Sequence, residues 1–203
     1  MRCLLTILVS MGLTASIQPA AEAPRLLVDN ARVRVFRMTA DGIHGLPPSV
    51  VVSVDSGSDE GTALWVDDAA AVSAVTRMHG AFVVVQPINT RASPPPLSAT
   101  RPGEAPFTGM SFKPMFENDR VSVIRARMEV GAREGFHTHG SDTIVIHLSG
   151  GEVEDTANGK TVVNRWKRGD VEFEEIGSSH SARNLGGAVD VVLVALKRPT
   201  AGR

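Results

Sequence analysis

The chain reads as all-β, built as two tandem β units joined by a proline-rich connector. Three observations predict this. Short Val-rich runs are punctuated by 19 Gly and 12 Pro among 203 residues, a composition of strands and turns. No window carries a sustained apolar stripe of helical period. One strand pattern also occurs twice. Asp29 to Arg37 matches Glu117 to Arg125 at five of nine positions, and both alternate apolar and polar residues as half-buried strands do. Downstream, Asp41-Gly42-Ile43-His44 matches Glu134-Gly135-Phe136-His137, and Val50 to Gly57 runs against Thr143 to Gly150 as far as a shared Ser-Gly. Two matches in the same order argue for an internal duplication.

Taken in order, residues 1–23 have the layout of a secretory signal: Arg2, an apolar stretch from Cys3 to Ile17, then Gln18 to Ala23 as a cleavage region. The apolar stretch is short for a membrane span, so the expectation is an exported protein, periplasmic or secreted, with no membrane attachment once the signal is removed. Residues 24–87 form the first unit and 115–198 the second. Residues 88–114 contain Pro94-Pro95-Pro96, Pro102 and Pro106. Proline fixes φ and removes ladder donors, so this stretch is expected to be a semi-extended connector. In the second unit, strands are expected at Val121–Met128, Thr143–Leu148, Val171–Glu175 and Val189–Leu196, separated by Gly-Gly, Asn-Gly and Gly-Asp turns.

Composition excludes several function classes. A formal charge of -1 and a pI near 6.6 give no electrostatic basis for binding nucleic acid or an anionic membrane. Cys3, the one cysteine, lies in the signal region, which removes disulfide and thiol chemistry from the mature chain. The chain has no Tyr, and aromatic residues are 4% of it. A tyrosine acid is therefore absent and a carbohydrate-stacking cleft is disfavoured.

Four of the six histidines fall in the second unit. His137 and His139 stand two residues apart, so on a strand both imidazoles face one side and can chelate one ion. His180 follows in a Gly177-Ser178-Ser179-His180 turn, at a separation that an antiparallel barrel readily closes. Alternation from Thr143 places Val145 and His147 on one face, the expected interior. His147 is thereby a deeper ligand, a partner to the ligands, a general base or a core residue. Glu172 and Glu174 share one strand face with Val171, Phe173 and Glu175 on the other, and at least two of these three glutamates are expected to be solvated. Glu134 and Arg133, beside His137, read as charged loop residues that could tune ligand entry.

These residues resemble the two motifs of the cupin family. Gly131, His137, His139 and Gly150 fit the first, and Gly169, Gly177, His180 and Asn184 fit the second, over about residues 115–198. Through the repeat the resemblance extends weakly to residues 26–87. It implies two tandem cupin-type jelly-roll barrels, the N-terminal one degenerate, with a divalent metal (Fe, Mn, Zn, Cu or Ni) on His137, His139 and His180. It further implies a small-molecule ligand in the barrel, dioxygenase-type chemistry or non-catalytic binding, and a possible homodimer. Two positions depart from the pattern: Thr143 stands in place of the first motif's Glu, and Glu175 in place of the second motif's Pro. In the first unit His44 alone echoes the site, with Leu46 and Val50 at the other ligand positions, and no motif surrounds His79. That unit is expected to be a structural partner.

Overall fold

The computed structural model describes residues 23–88 and 107–197; the signal region with Cys3, and connector residues 89–106, lie outside them. The N-terminal half contributes β1 (Arg25–Asp29), β2 (Val33–Thr39), β3 (Ser49–Ser53), β4 (Ala63–Val66) and β5 (Ala81–Pro87). They form one antiparallel sheet in the order β1-β2-β5-β3-β4. The C-terminal half contributes β6 (Thr108–Glu117), β7 (Val121–Thr138), β8 (Thr143–His147), β9 (Gly151–Ala157), β10 (Lys160–Trp166), β11 (Val171–Glu174), β12 (Ser179–Asn184) and β13 (Val189–Leu196). Its eight-stranded sheet runs β10-β9-β12-β7-β13-β8-β11, with β6 also paired to β7. β6 begins inside the stretch expected to be connector.

The sheet curls because β7 is long enough to serve two sets of partners. Val121 to Met128 pairs with β13, and Arg133 to Thr138 pairs with β12. Gly131, at φ +75°, lies between these stretches in a conformation that costs glycine little.

With β9, β10 and β12 set aside, the two halves have the same strand order: β1-β2-β5-β3-β4 answers to β6-β7-β13-β8-β11. The barrel expected at the N-terminus is therefore a single sheet, without the three strands that would close it. Helix α1 (Ala69–Thr76) takes their place on the open face. Asp68 caps it, accepting from the backbone N–H of Ala71, and Val75 packs with Met38, Ile43, Val51, Val66, Phe82 and Val84. Eight residues rich in Ala and Val make too short a stripe to stand out as a helix in the sequence.

The opposite faces of the two sheets pack together. Val33, Val35, Val50, Val52, Val83 and Val85 meet Val121, Val123, Ile144, Ile146, Val192 and Val194, all fully buried. Burial of each such side chain contributes about 1.5–3 kcal/mol, so this shared face is the principal core. Matching turns frame it. Asn30 Oδ1 accepts from the N–H groups of Arg32 and Val33, and Asn118 Oδ1 from those of Arg120 and Val121. Each arginine then reaches into the other half: Arg32 Nε lies 3.1 Å from Asp142 Oδ2, and Arg120 Nη2 donates to Pro87 O.

The alignment of the halves needs one correction. Val33 and Val121 are equivalent, as expected. However, Val50 pairs with Val85 as Ile144 pairs with Val194, so Val50 answers to Ile144 and Ser49 to Thr143. A slip of one residue exchanges the two faces of a strand. His44 accordingly has no counterpart role: it caps a single 3-10 turn (Ala40–Ile43) and is exposed, as is His79.

Candidate metal centre

The ladder between β7 and β12 builds the histidine cluster. His180 is the direct cross-strand partner of His137, and Ser179 of Thr138. His139 is held just past the end of β7, where its N–H donates to Ser178 O and its carbonyl accepts from Gly177 N–H. The three ring centroids form a nearly equilateral triangle with sides of 4.8, 4.7 and 4.9 Å. One nitrogen from each ring lies within 4.8 Å of the other two, so the three together could hold one metal ion.

The remaining ring nitrogens show which atoms are free to ligate. His137 Nδ1 is 3.0 Å from Gly135 O, and His180 Nδ1 is 2.9 Å from Asp155 Oδ1. That leaves Nε2 of each ring facing inward, the arrangement that fixes the tautomer of a ligating histidine. His180 Nε2 is buried without a hydrogen-bond partner, a costly state for a polar atom and one that a cation would relieve. Burial lowers the pKa of His137, and burial together with its two neighbouring imidazoles lowers that of His139 to about 4. Neutral rings are the ligating form, so the donor set fits a divalent ion.

Motif glycines stand where the backbone bends or turns around the site. Gly131, Gly169 and Gly177 all have positive φ, at 75°, 78° and 82°, where side chains with a Cβ are strained. Asn184, the last motif residue, is buried and donates its side-chain amide to Glu129 O and Gly187 O. The motif glycines, the histidines and the curled sheet thus occupy their roles in one structure. The C-terminal half has a cupin fold.

The chain is similar to a cupin domain from Bordetella pertussis at 23% identity, over 44% of this chain and 94% of that one, with a TM-score of 0.42. It is similar to an RmlC-like cupin from Shewanella frigidimarina at 17% identity, over 46% and 78% of the two chains, TM-score 0.38. A cupin superfamily protein from Desulfitobacterium hafniense gives 17% identity over 54% and 96%, TM-score 0.38. No protein-family model and no curated protein matches the chain.

The cupin half encloses a cavity of about 300 Å³. Thr143, Val145 and His147 line it, so the expected interior face of β8 is the observed one. The glutamates of β11 reverse expectation. Glu172 and Glu174 point into the cavity, and Glu175 alone is exposed, paired with Arg32. The cause is the neighbouring sheet. Val171 and Phe173 pack into the shared core, which turns the alternate residues inward. Glu134, read from the sequence as a loop residue, lies on β7 and also lines the cavity, with Oε1 3.6 Å from His137 Nε2.

Four carboxyl-bearing residues therefore line the cavity with the histidines: Glu134, Asp155, Glu172 and Glu174. Burial, compounded by the charges of its neighbours, pushes Glu174 up to about 9 and Glu172 up to about 7. Glu134 is raised for the same first reason, burial. Asp155 carries no motif signal in the sequence; it is found because β9 pairs with β12 beside His180.

The N-terminal sheet provides an internal control. Leu64 pairs with Val51 and Val66 with Ser49, as Glu172 pairs with Val145 and Glu174 with Thr143. The positions of the two glutamates are thus leucine and valine in the N-terminal half, where they pack in the cluster beneath α1. The fold itself tolerates apolar residues there, so the buried carboxyl groups belong to the site.

His147 lies deeper. It is four residues along β8 from Thr143, roughly 13 Å at strand rise, and it is not in the cluster that His137, His139 and His180 form. It is 3% exposed, both ring nitrogens lack partners, and it stacks on Trp166 at 4.5 Å and 17°.

Proposed function

We propose that this chain is an exported cupin in which His137, His139 and His180 hold a divalent metal, and that it acts as a small-molecule metalloenzyme of dioxygenase type. The observation that carries the reading is three imidazoles converging on the wall of an otherwise largely apolar cavity. A bound Fe, Mn, Zn, Cu or Ni ion would supply Lewis acidity and a template for substrate.

The chain's own residues set what may enter. Phe107, Met110, Phe112, Met128, Val189 and Leu193 supply an apolar wall. The lining contains four carboxyl-bearing residues and neither lysine nor arginine. An anionic ligand would meet no protein counter-charge there, so the preferred ligand is a small, mainly apolar molecule without net negative charge. His147, with its nitrogens unpartnered at depth, offers such a molecule a hydrogen bond at its far end.

The identical strand order and matching asparagine turns support an internal duplication in which the N-terminal copy lost its closing strands and became a packing partner. Export is inferred from the signal-like layout of residues 1–23.

Metal analysis of the purified chain after growth with Fe, Mn, Zn, Cu and Ni tests the centre. The expected result is about one ion per chain, lost in a His137→Ala/His180→Ala double variant. O2 uptake with catechol-like or diketone substrates then tests the chemistry. A metal-bearing protein that consumes no O2 with any of them would be a non-catalytic binding cupin instead.

A further inference from the structure

We propose that Glu174 supplies a fourth protein ligand to this ion, a carboxylate moved across the β8–β11 ladder from position 143. The inference rests on the three-histidine reading and extends it to a residue outside the motif pattern.

The motif's carboxylate position is Thr143, and the Cα partner of Thr143 is Glu174. Directly paired residues of an antiparallel ladder lie about 4.5–5.5 Å apart and share a face. A side chain from position 174 therefore emerges beside the vacated place, one strand over, and the longer glutamate reaches the same imidazoles. Glu174 Oε2 is 3.3 Å from His139 Nδ1, and Oε1 is 3.9 Å from His180 Nε2. Two donor atoms bound to one ion at about 2.1 Å stand roughly 3.0 Å apart at right angles and roughly 4.2 Å apart when opposite. Both separations fall within that range.

Two further observations point the same way. His180 Nε2, one of the atoms near Glu174, is buried and has no hydrogen-bond partner within the protein. The N-terminal equivalent of Glu174 is Val66, fully packed beneath α1, so nothing in the strand pairing requires a carboxylate here. Glu134 also approaches an imidazole within ion-pair distance, that of His137, at 3.6 Å. Glu174 contacts two of the three rings, and the chain just beyond its strand is held in place. Ile176 N–H donates to buried Asp142, which Arg32 holds in turn.

The test is a titration of the metal-stripped full chain with Zn2+, together with the visible absorption of its Co2+ form. Glu174→Gln is expected to weaken Zn2+ binding about a hundredfold or more, beyond the ~10–100-fold typical of residues that merely orient a ligand, and to change the Co2+ bands. Glu134→Gln is expected to cost less. Returning the carboxylate to the motif position, in Thr143→Glu/Glu174→Thr, is expected to restore affinity to within a few-fold. Unchanged Co2+ bands and affinity in Glu174→Gln would overturn the proposal, as would a folded swap variant that binds no better than Glu174→Gln, since Glu174 would then serve only to orient His139. The Glu174→Gln spectrum decides the matter even if the swap variant does not fold. If the unmodified chain takes up no ion, the three-histidine reading fails with it, and that result appears before any glutamate is changed.

Discussion

Acid should destabilise the metal-free protein through His147, by an amount the structure sets. The ring is 3% exposed, stacked on Trp166 and without a hydrogen-bond partner for either nitrogen. Burial lowers its pKa from 6.5 to about 4. In the unfolded chain the same ring takes up a proton near pH 6.5. Between these values the unfolded state binds the proton and the folded state does not, so stability falls as pH drops from above 6.5 to about 4 and is unaffected outside that window. A gap of about 2.5 between the two pKa values corresponds to about 3 kcal/mol in full, and to about 2 kcal/mol by pH 5. His147→Leu keeps an apolar side chain of similar reach and removes the proton. Urea unfolding with a chelator present, at pH 7.5 and pH 5.0, measures the loss for each chain. The other cavity groups, including Glu172 and Glu174 whose raised pKa values act in the opposite direction, are common to both chains and cancel in the comparison. The loss is expected to be about 2 kcal/mol smaller in the variant. Equal losses in the two chains would show that His147 is not held neutral, and the argument from its burial would fail.

Two other outcomes follow from the same geometry. Ile146 is fully buried in the face shared by the two sheets, so Ile146→Ala is expected to cost about 2–5 kcal/mol in a urea titration read by Trp fluorescence. Asp155 accepts from His180 Nδ1 at 2.9 Å; Asp155→Ala is expected to weaken metal binding about 10–100-fold in competition titrations while leaving the urea midpoint within a few tenths of a molar of the unmodified chain.

The histidine cluster was legible because its determinants are local. Two residues apart on a strand share a face whatever else the chain does, and the glycines at 131, 169 and 177 sit where the backbone needs positive φ. The strand at β8 was legible for the same reason, down to which of its faces turns inward. β11 was not. Val171-Glu172-Phe173-Glu174 offers two plausible faces, and its alternation alone does not say whether solvent or another sheet lies on either side. The N-terminal half misled in a related way: a period of two allows an alignment that is wrong by one residue to look as good as the right one, which made His44 resemble a relic of the site.

By itself, then, the sequence determined the all-β class, the repeated strand, the three imidazoles and the inward direction of His147, each a consequence of backbone periodicity and fixed spacing. The tertiary structure decided that the first half is an open sheet closed by a helix, that Glu172 and Glu174 are buried, and that Asp155 and Glu134 join the site. Those outcomes depend on which apolar faces meet. The valines of the two halves share one buried cluster with Val171 and Phe173 packed against it, and that contact turns the carboxyl groups of β11 into the cavity.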